Sequence, residues 1–335
     1  MIKTPNIFDF ATSELSQDAF LCWLIAWADS SQIVNDNSLN GCASTFVKRL
    51  LEVSDDYNIE TVEVGRQWNN IDVWALINNE HFLVIEDKKG TTEHSDQLKR
   101  YAEIAKEHYK NSDIEIKLVY FKMQEQGQYS NVDKAGFTVF GRDKMLEILT
   151  GYIENVNKNE INDILFDYYR NLKGLDKKIN SYKELPLEKW CWHSWIGFYS
   201  ELQKHLGGNW DYVANASGGF LGFWWYWNSS EHKDNYFEFY LQLEQNEMVF
   251  KLYCEKPESR YEIRDFYRSK LYPKAKELKI DVYQFGRIGQ WMGVARLNES
   301  YRKTNTEGLL DMDKTVETLK KMQHLIDEIN KELKE

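Results

Sequence analysis

The chain has 335 residues and a formal net charge of -11, with 53 Asp and Glu against 42 Lys and Arg. That length suits two ordinary domains, and the charge argues against a protein that coats nucleic acid non-specifically, which needs clustered basic residues. No apolar run reaches the roughly 18–20 residues needed to span a bilayer. Four widely spaced cysteines, with no C-x-x-C pair, argue against a disulfide framework and a thiolate zinc site. Met1 to Asn6 lack the apolar stretch of a secretory signal, so the expectation is a reduced, cytoplasmic chain without a membrane segment.

In chain order, residues 12–30 are predicted helical: Thr12 or Ser13 can cap the first turn, and Leu15, Leu21, Leu24, Ile25 and Ala28 form a stripe. A second helix is expected over 43–53. The period then changes, and Thr61–Gln67, Ile71–Ile77 and Phe82–Ile85 predict strands, with Asn78-Asn79-Glu80 as turn chemistry. Helix is expected again over 92–109, strand over Ile114–Phe121, a further strand at Phe137–Phe140, and helices over 143–155 and 160–173. This order predicts an α/β domain, a mixed sheet flanked by helices. Gly174–Lys189 is polar, contains Pro186 and has no clear period, which predicts a linker, with domains at 1–175 and 176–335. The second domain is predicted to be α+β. It has a helix from Trp190 to His205 and strands near 210–227, 235–244 and 247–254. A helix over 260–277, a hairpin across 280–296 and a long amphipathic helix from about Asp311 to Leu333 follow.

The chemistry concentrates around the predicted hairpin. Phosphodiester cleavage needs an activated water and neutralisation of the charge that develops on the phosphate, and a divalent ion provides both. Mg²⁺ takes oxygen ligands and keeps several waters, so one or two neighbouring carboxylates suffice. Glu86 and Lys88, two apart on one strand, point to the same face. A three-residue loop, Asn78 to Glu80, makes Ile77 face His81 and therefore Asp72 face Glu86, with Cβ atoms about 5 Å apart. A two-residue loop would instead oppose Asp72 with Ile85 and require a bulge. Lys88 would then stand beside the reacting water and phosphate.

Asp72 followed by Glu86-Asp87-Lys88 resembles the D…(D/E)-x-K signature of the PD-(D/E)xK nuclease superfamily, over roughly residues 8 to 125. The element order also resembles the core of that restriction-endonuclease-like fold. Gln97 and Tyr101 resemble the Q-x-x-x-Y motif of RecB-like members, and Glu14 resembles their first-helix glutamate. Ile71 stands where those members carry a proline, and Asp87 with Lys89 also satisfies D-x-K. The resemblance implies a nuclease using Mg²⁺ or Mn²⁺ and acting on nucleic acid, DNA by expectation, in phage defence or DNA processing. It implies metal ligation by Asp72 and Glu86, completed by the Asp87 carbonyl. Lys88 would act at the water, Gln97 and Tyr101 would position phosphate, and Glu14 would support the metal or a second ion.

Two alternatives stand beside this reading. The fold could serve as a non-catalytic binding or assembly module, or the enzyme could be an effector activated through its C-terminal domain, which would also be the place for a second copy or a protein partner. In that domain, Arg260, Arg264 and Arg268 recur every four residues, which reads either as a phosphate-contacting ridge or as a solvated helix face. The run Phe220–Trp227 reads as a buried central strand or as a base-stacking surface. Met312, Val316, Leu319, Met322, Ile326 and Ile329 form the apolar stripe of the last helix, expected to pack on its own sheet.

Overall fold

The computed structural model describes residues 5–90, 96–215 and 218–334. Residues 1–4 and positions 92–95, at the start of an expected helix, lie outside the described residues. The chain divides into two compact units. One comprises Met1–Glu125 and Tyr129–Lys177, and the other Gln126–Gln128 and Lys178–Glu335.

In the first unit, helix α1 (Glu14–Ala26) begins where Ser13 Oγ accepts a hydrogen bond from the Ser16 amide at 3.3 Å. Helix α2 (Asn37–Leu51) starts earlier than its apolar stripe suggests. The Asp36 carboxylate caps it, accepting from the Leu39 amide at 2.9 Å. Strands β1 (Val62–Trp68), β2 (Ile71–Ile77) and β3 (His81–Lys88) form an antiparallel meander. Asn78 and Asn79, at φ 54° and 55°, supply the left-handed turn between β2 and β3. Asn78 also ties that turn to the approach to β1: its Oδ1 accepts from the Glu60 amide at 2.8 Å, and its Nδ2 donates to the Asn58 carbonyl at 2.8 Å.

Helix α3 (Gln97–His108) carries the chain across to β4 (Glu115–Lys122), which pairs parallel with β3. After a short helix α4 (Ser130–Lys134), β5 (Thr138–Gly141) adds a second parallel pairing. The sheet order is β1-β2-β3-β4-β5. Helices α5 (Arg142–Asn155) and α6 (Asp163–Asn180) follow. Both faces of β3 are buried. Leu83 and Ile85 join a core with residues of α1, α2, α5 and α6, while Phe82 and Val84 join one with Leu98, Tyr101, Ala102 and Ala105 of α3.

The expected linker is corrected at its start. Residues 174–180 continue α6, because Leu172, Leu175 and Ile179 keep a helical apolar spacing through the polar residues between them. Short 3₁₀ turns at Ser181–Lys183 and Leu187–Lys189 occupy much of the remainder.

The second unit is a six-stranded antiparallel sheet with helices. Helix α7 (Trp192–Leu206) precedes β6 (Asn209–Val213), β7 (Phe220–His232), β8 (Asn235–Glu244) and β9 (Glu247–Tyr253). Helix α8 (Arg260–Glu277), β10 (Val282–Gln284), β11 (Trp291–Leu297) and helix α9 (Met312–Lys334) complete it. The strand order is β10-β11-β9-β8-β7-β6. The region near 210–227 is thus parts of two strands rather than one. One core gathers the α9 stripe, including Val316, Leu319, Met322, Ile326 and Ile329, with Phe223, Phe237, Phe239 and Tyr267. A bulge in β7 between Trp225 and Asn228, with Tyr226 at φ 61°, directs the Tyr226 hydroxyl to Asp327 on α9. Trp227 is left 43 % exposed, stacked on Tyr240 with ring centroids 3.8 Å apart.

Candidate active site

The hairpin register decides which side chains meet. Ile77 pairs with His81 and Val73 with Ile85, as a three-residue loop requires, so continuing the register sets Asp72 opposite Glu86. The alternation of β3 separates its charged end. Glu86 and Lys88 share the face of Phe82 and Val84, towards α3, whereas Asp87 shares the face of Leu83 and Ile85, towards α1. The overlapping Asp87/Lys89 motif therefore falls on the opposite face from Glu86.

On the α3 face, Lys88 Nζ lies 2.5 Å from Glu86 Oε1 and 3.9 Å from Asp72 Oδ2, and donates to the Asp87 carbonyl at 3.3 Å. Asp72 Oδ2 also accepts from the Asp87 amide at 3.1 Å. Glu86 is 0 % exposed; its Oε1 is ion-paired with Lys88, and its Oε2 has no hydrogen-bond donor. Burial pushes its carboxyl up to about 8, helped by the neighbouring Asp72 carboxylate and opposed by Lys88. Burial works against the charge of Lys88, but Glu86, Asp72 and Glu14 together raise its pKa above the ordinary value.

This pairing of two carboxylates, one of them buried with an oxygen that has no donor, fits a hard divalent cation. Among the described residues no three or more His, Cys, Asp or Glu side chains gather to hold a metal ion. Glu14, in the first turn of α1, accepts from the Lys89 amide at 3.2 Å and braces the end of β3.

Gln97 and Tyr101 meet on α3, the Gln97 amide donating to the Tyr101 hydroxyl at 2.9 Å. Tyr101 packs in the same apolar cluster as Val84 and Tyr120, on the face that carries Glu86.

Sequence reasoning passed over Gln17 and Asp18. Gln17 Nε2 donates to Asp87 Oδ1 at 2.6 Å, and both α1 residues are buried. Burial, then Asp72, raises Asp18 to about 6, while contact with Asp87 opposes the shift. Burial likewise raises Asp87 well above the ordinary carboxylate range. A signal was present: Glu14, Gln17 and Asp18 stand at i, i+3 and i+4, on the face that continues into Leu21, Leu24 and Ile25. Polar residues within a core-facing stripe mark a buried polar site.

The family model of the PD-(D/E)XK nuclease superfamily matches residues 5–170. No curated protein and no solved structure matches the chain. With the meander, the parallel crossover and the Asp72–Glu86–Lys88 grouping in view, this chain belongs, through its first unit, to the PD-(D/E)XK nuclease superfamily.

In the second unit, Arg260, Arg264 and Arg268 do not form one exposed ridge. Arg268 is buried, and its guanidinium donates to the carbonyls of Val294 at 3.0 Å and Phe285 at 2.8 Å. Arg260 donates to the carbonyls of Cys254 and Glu255, and Arg264 lies over the Tyr261 ring. Among the described residues no helix is long and apolar enough to cross a membrane.

Proposed function

We propose that the chain is a divalent-metal-dependent nuclease, with DNA as its substrate, and that Asp72, Glu86 and Lys88 form its reactive centre. The observation that carries this reading is the buried Glu86 carboxylate, ion-paired with Lys88 at 2.5 Å and set beside Asp72. Asp72 and Glu86 would hold Mg²⁺ or Mn²⁺, with the Asp87 carbonyl as a further oxygen ligand. When bound, the ion supplies charge neutralisation at the phosphate and makes water more acidic.

The chain's own residues do the rest. Lys88 keeps its ammonium at the carboxylate pair and stabilises the negative charge that grows on the phosphoryl oxygens as water adds to phosphorus. One P–O ester bond breaks, leaving a phosphomonoester and an alcohol. Gln97 and Tyr101, fixed to each other on α3, orient the nucleic-acid backbone. Glu14 steadies the end of β3 through the Lys89 amide, and Gln17 does so through Asp87. The same reading puts the chain among proteins of phage defence or DNA processing, with the second unit in the role of substrate or partner contact.

The test is incubation of the full chain with closed-circular and linear DNA, with Mg²⁺ or Mn²⁺ and with chelator. We expect ion-dependent cleavage that is lost in Asp72→Ala and Lys88→Ala while both variants keep the wild-type circular dichroism spectrum. Undiminished cleavage by either folded variant would remove the assignment. Binding of Mn²⁺ without cleavage of DNA or RNA would favour the non-catalytic module.

A further inference from the structure

Parallel pairing places Lys122, the last residue of β4, directly beside Lys88 of β3, as it places Tyr120 beside Glu86. Residues in register on adjacent strands share a face, and their side chains emerge about 5 Å apart. Tyr120 belongs to the cluster with Tyr101 and Val84, and Phe121 to the cluster on the α1 side. Lys122 therefore emerges on the α3 face, in the row of Lys88. Both lysines are buried, Lys88 at 6 % exposure and Lys122 at 3 %. On the β5 side the partner in that row is Gly141.

Buried lysine side chains keep their charge only where anions meet them. Asp72 and Glu86 lie on this same face, beside Lys88. A phosphodiester carries one negative charge and approaches two as water adds.

We infer that Lys122 is a second phosphate-contacting residue of this site, acting on a non-bridging phosphoryl oxygen beside Lys88. The inference rests on the nuclease reading for its role in cleavage, but its contact with phosphate is measurable without cleavage. The experiment compares full-length wild type, Lys122→Met, Lys122→Gln and Lys122→Arg. Three quantities are read: Mn²⁺ affinity by electron paramagnetic resonance, affinity for a short DNA duplex in Ca²⁺ across a salt series, and the single-turnover cleavage rate in Mn²⁺.

The expected result is Mn²⁺ affinity within twofold of wild type for all variants. The slope of log affinity against log salt should be shallower by about one for Lys122→Met and Lys122→Gln. Cleavage should slow by at least about tenfold in both, and Lys122→Arg should recover the wild-type salt slope and most of the rate. An unchanged slope in Lys122→Gln overturns the proposal, as does a loss of rate matched by an equal loss of Mn²⁺ affinity. Should Lys122→Met fail to fold, Lys122→Gln and Lys122→Arg still decide between these outcomes. A wild type that binds DNA in Ca²⁺ but cuts neither DNA nor RNA ends the nuclease reading, and the salt slope still judges Lys122.

Discussion

The two oxygens of Glu86 lie where a carboxylate loses its hydration and gains Asp72 as a neighbour, with Lys88 as the opposing influence. An acid whose folded pKa is raised contributes most to stability below its unfolded value, near 4.5, and loses that contribution as pH rises towards about 8. Metal-free protein should therefore melt at progressively lower temperature between pH 5 and pH 8. Glu86→Gln should flatten that slope, and saturating Mn²⁺ should restore stability most at the alkaline end, where the ion competes with fewer protons. Thermal melts in chelator and in Mn²⁺ measure this; a Glu86→Gln profile as steep as wild type would refute it. Lys88→Ala, by contrast, should lower the cleavage rate by about 10²–10³-fold, the scale for losing one charge-stabilising donor. Asp72, Glu86 and Lys88 were legible from spacing because β strands alternate faces. Gln17 and Asp18 were not singled out, because a helical stripe is read first for its apolar members.

At the scale of elements, two features govern what the side chains meet. The Asn78-Asn79 turn sets the β2–β3 register, and with it the position of Asp72. Replacing Asn79, at φ 55°, with glycine should leave the hairpin and cleavage intact, whereas Asn79→Val should strain the turn by roughly 1–2 kcal/mol and lower the denaturation midpoint. In the second unit, a Cβ at Gly197 of α7 would overlap the Ile179 carbonyl oxygen and crowd the Tyr182 ring. Alanine gains about 1 kcal/mol of helix propensity over glycine. Overpacking against a backbone oxygen costs about 1–3 kcal/mol and wins, because the carbonyl sits in backbone that cannot swing aside. Gly197→Ala should therefore destabilise the protein in urea titration. The type of each long element was readable from periodicity. The end of α6 was not, since the polar residues around Leu175 hide the stripe that continues to Ile179.

For the whole molecule, charge is unevenly shared. Residues 1–177 carry 19 Lys and Arg against 29 Asp and Glu, and residues 178–335 carry 23 against 24. The family-matched unit thus holds most of the excess negative charge and should repel a polyanion until a cation neutralises its site. DNA affinity measured by fluorescence anisotropy should rise at least about tenfold when Ca²⁺ replaces chelator at low ionic strength. Equal affinity in both conditions would count against an ion at the Asp72–Glu86 pair.

Composition and pattern by themselves determined the class of the first unit, the hairpin that carries its acidic pair and the order of its elements. These follow from local rules: strand alternation, helical period, turn chemistry and capping. Only the tertiary structure decided that Lys122 stands beside Lys88, that Arg268 is buried on backbone carbonyls, and that Gln17 reaches Asp87. Each of those facts depends on a pairing between segments distant in the chain, where the residue's own neighbours carry no trace of its partner.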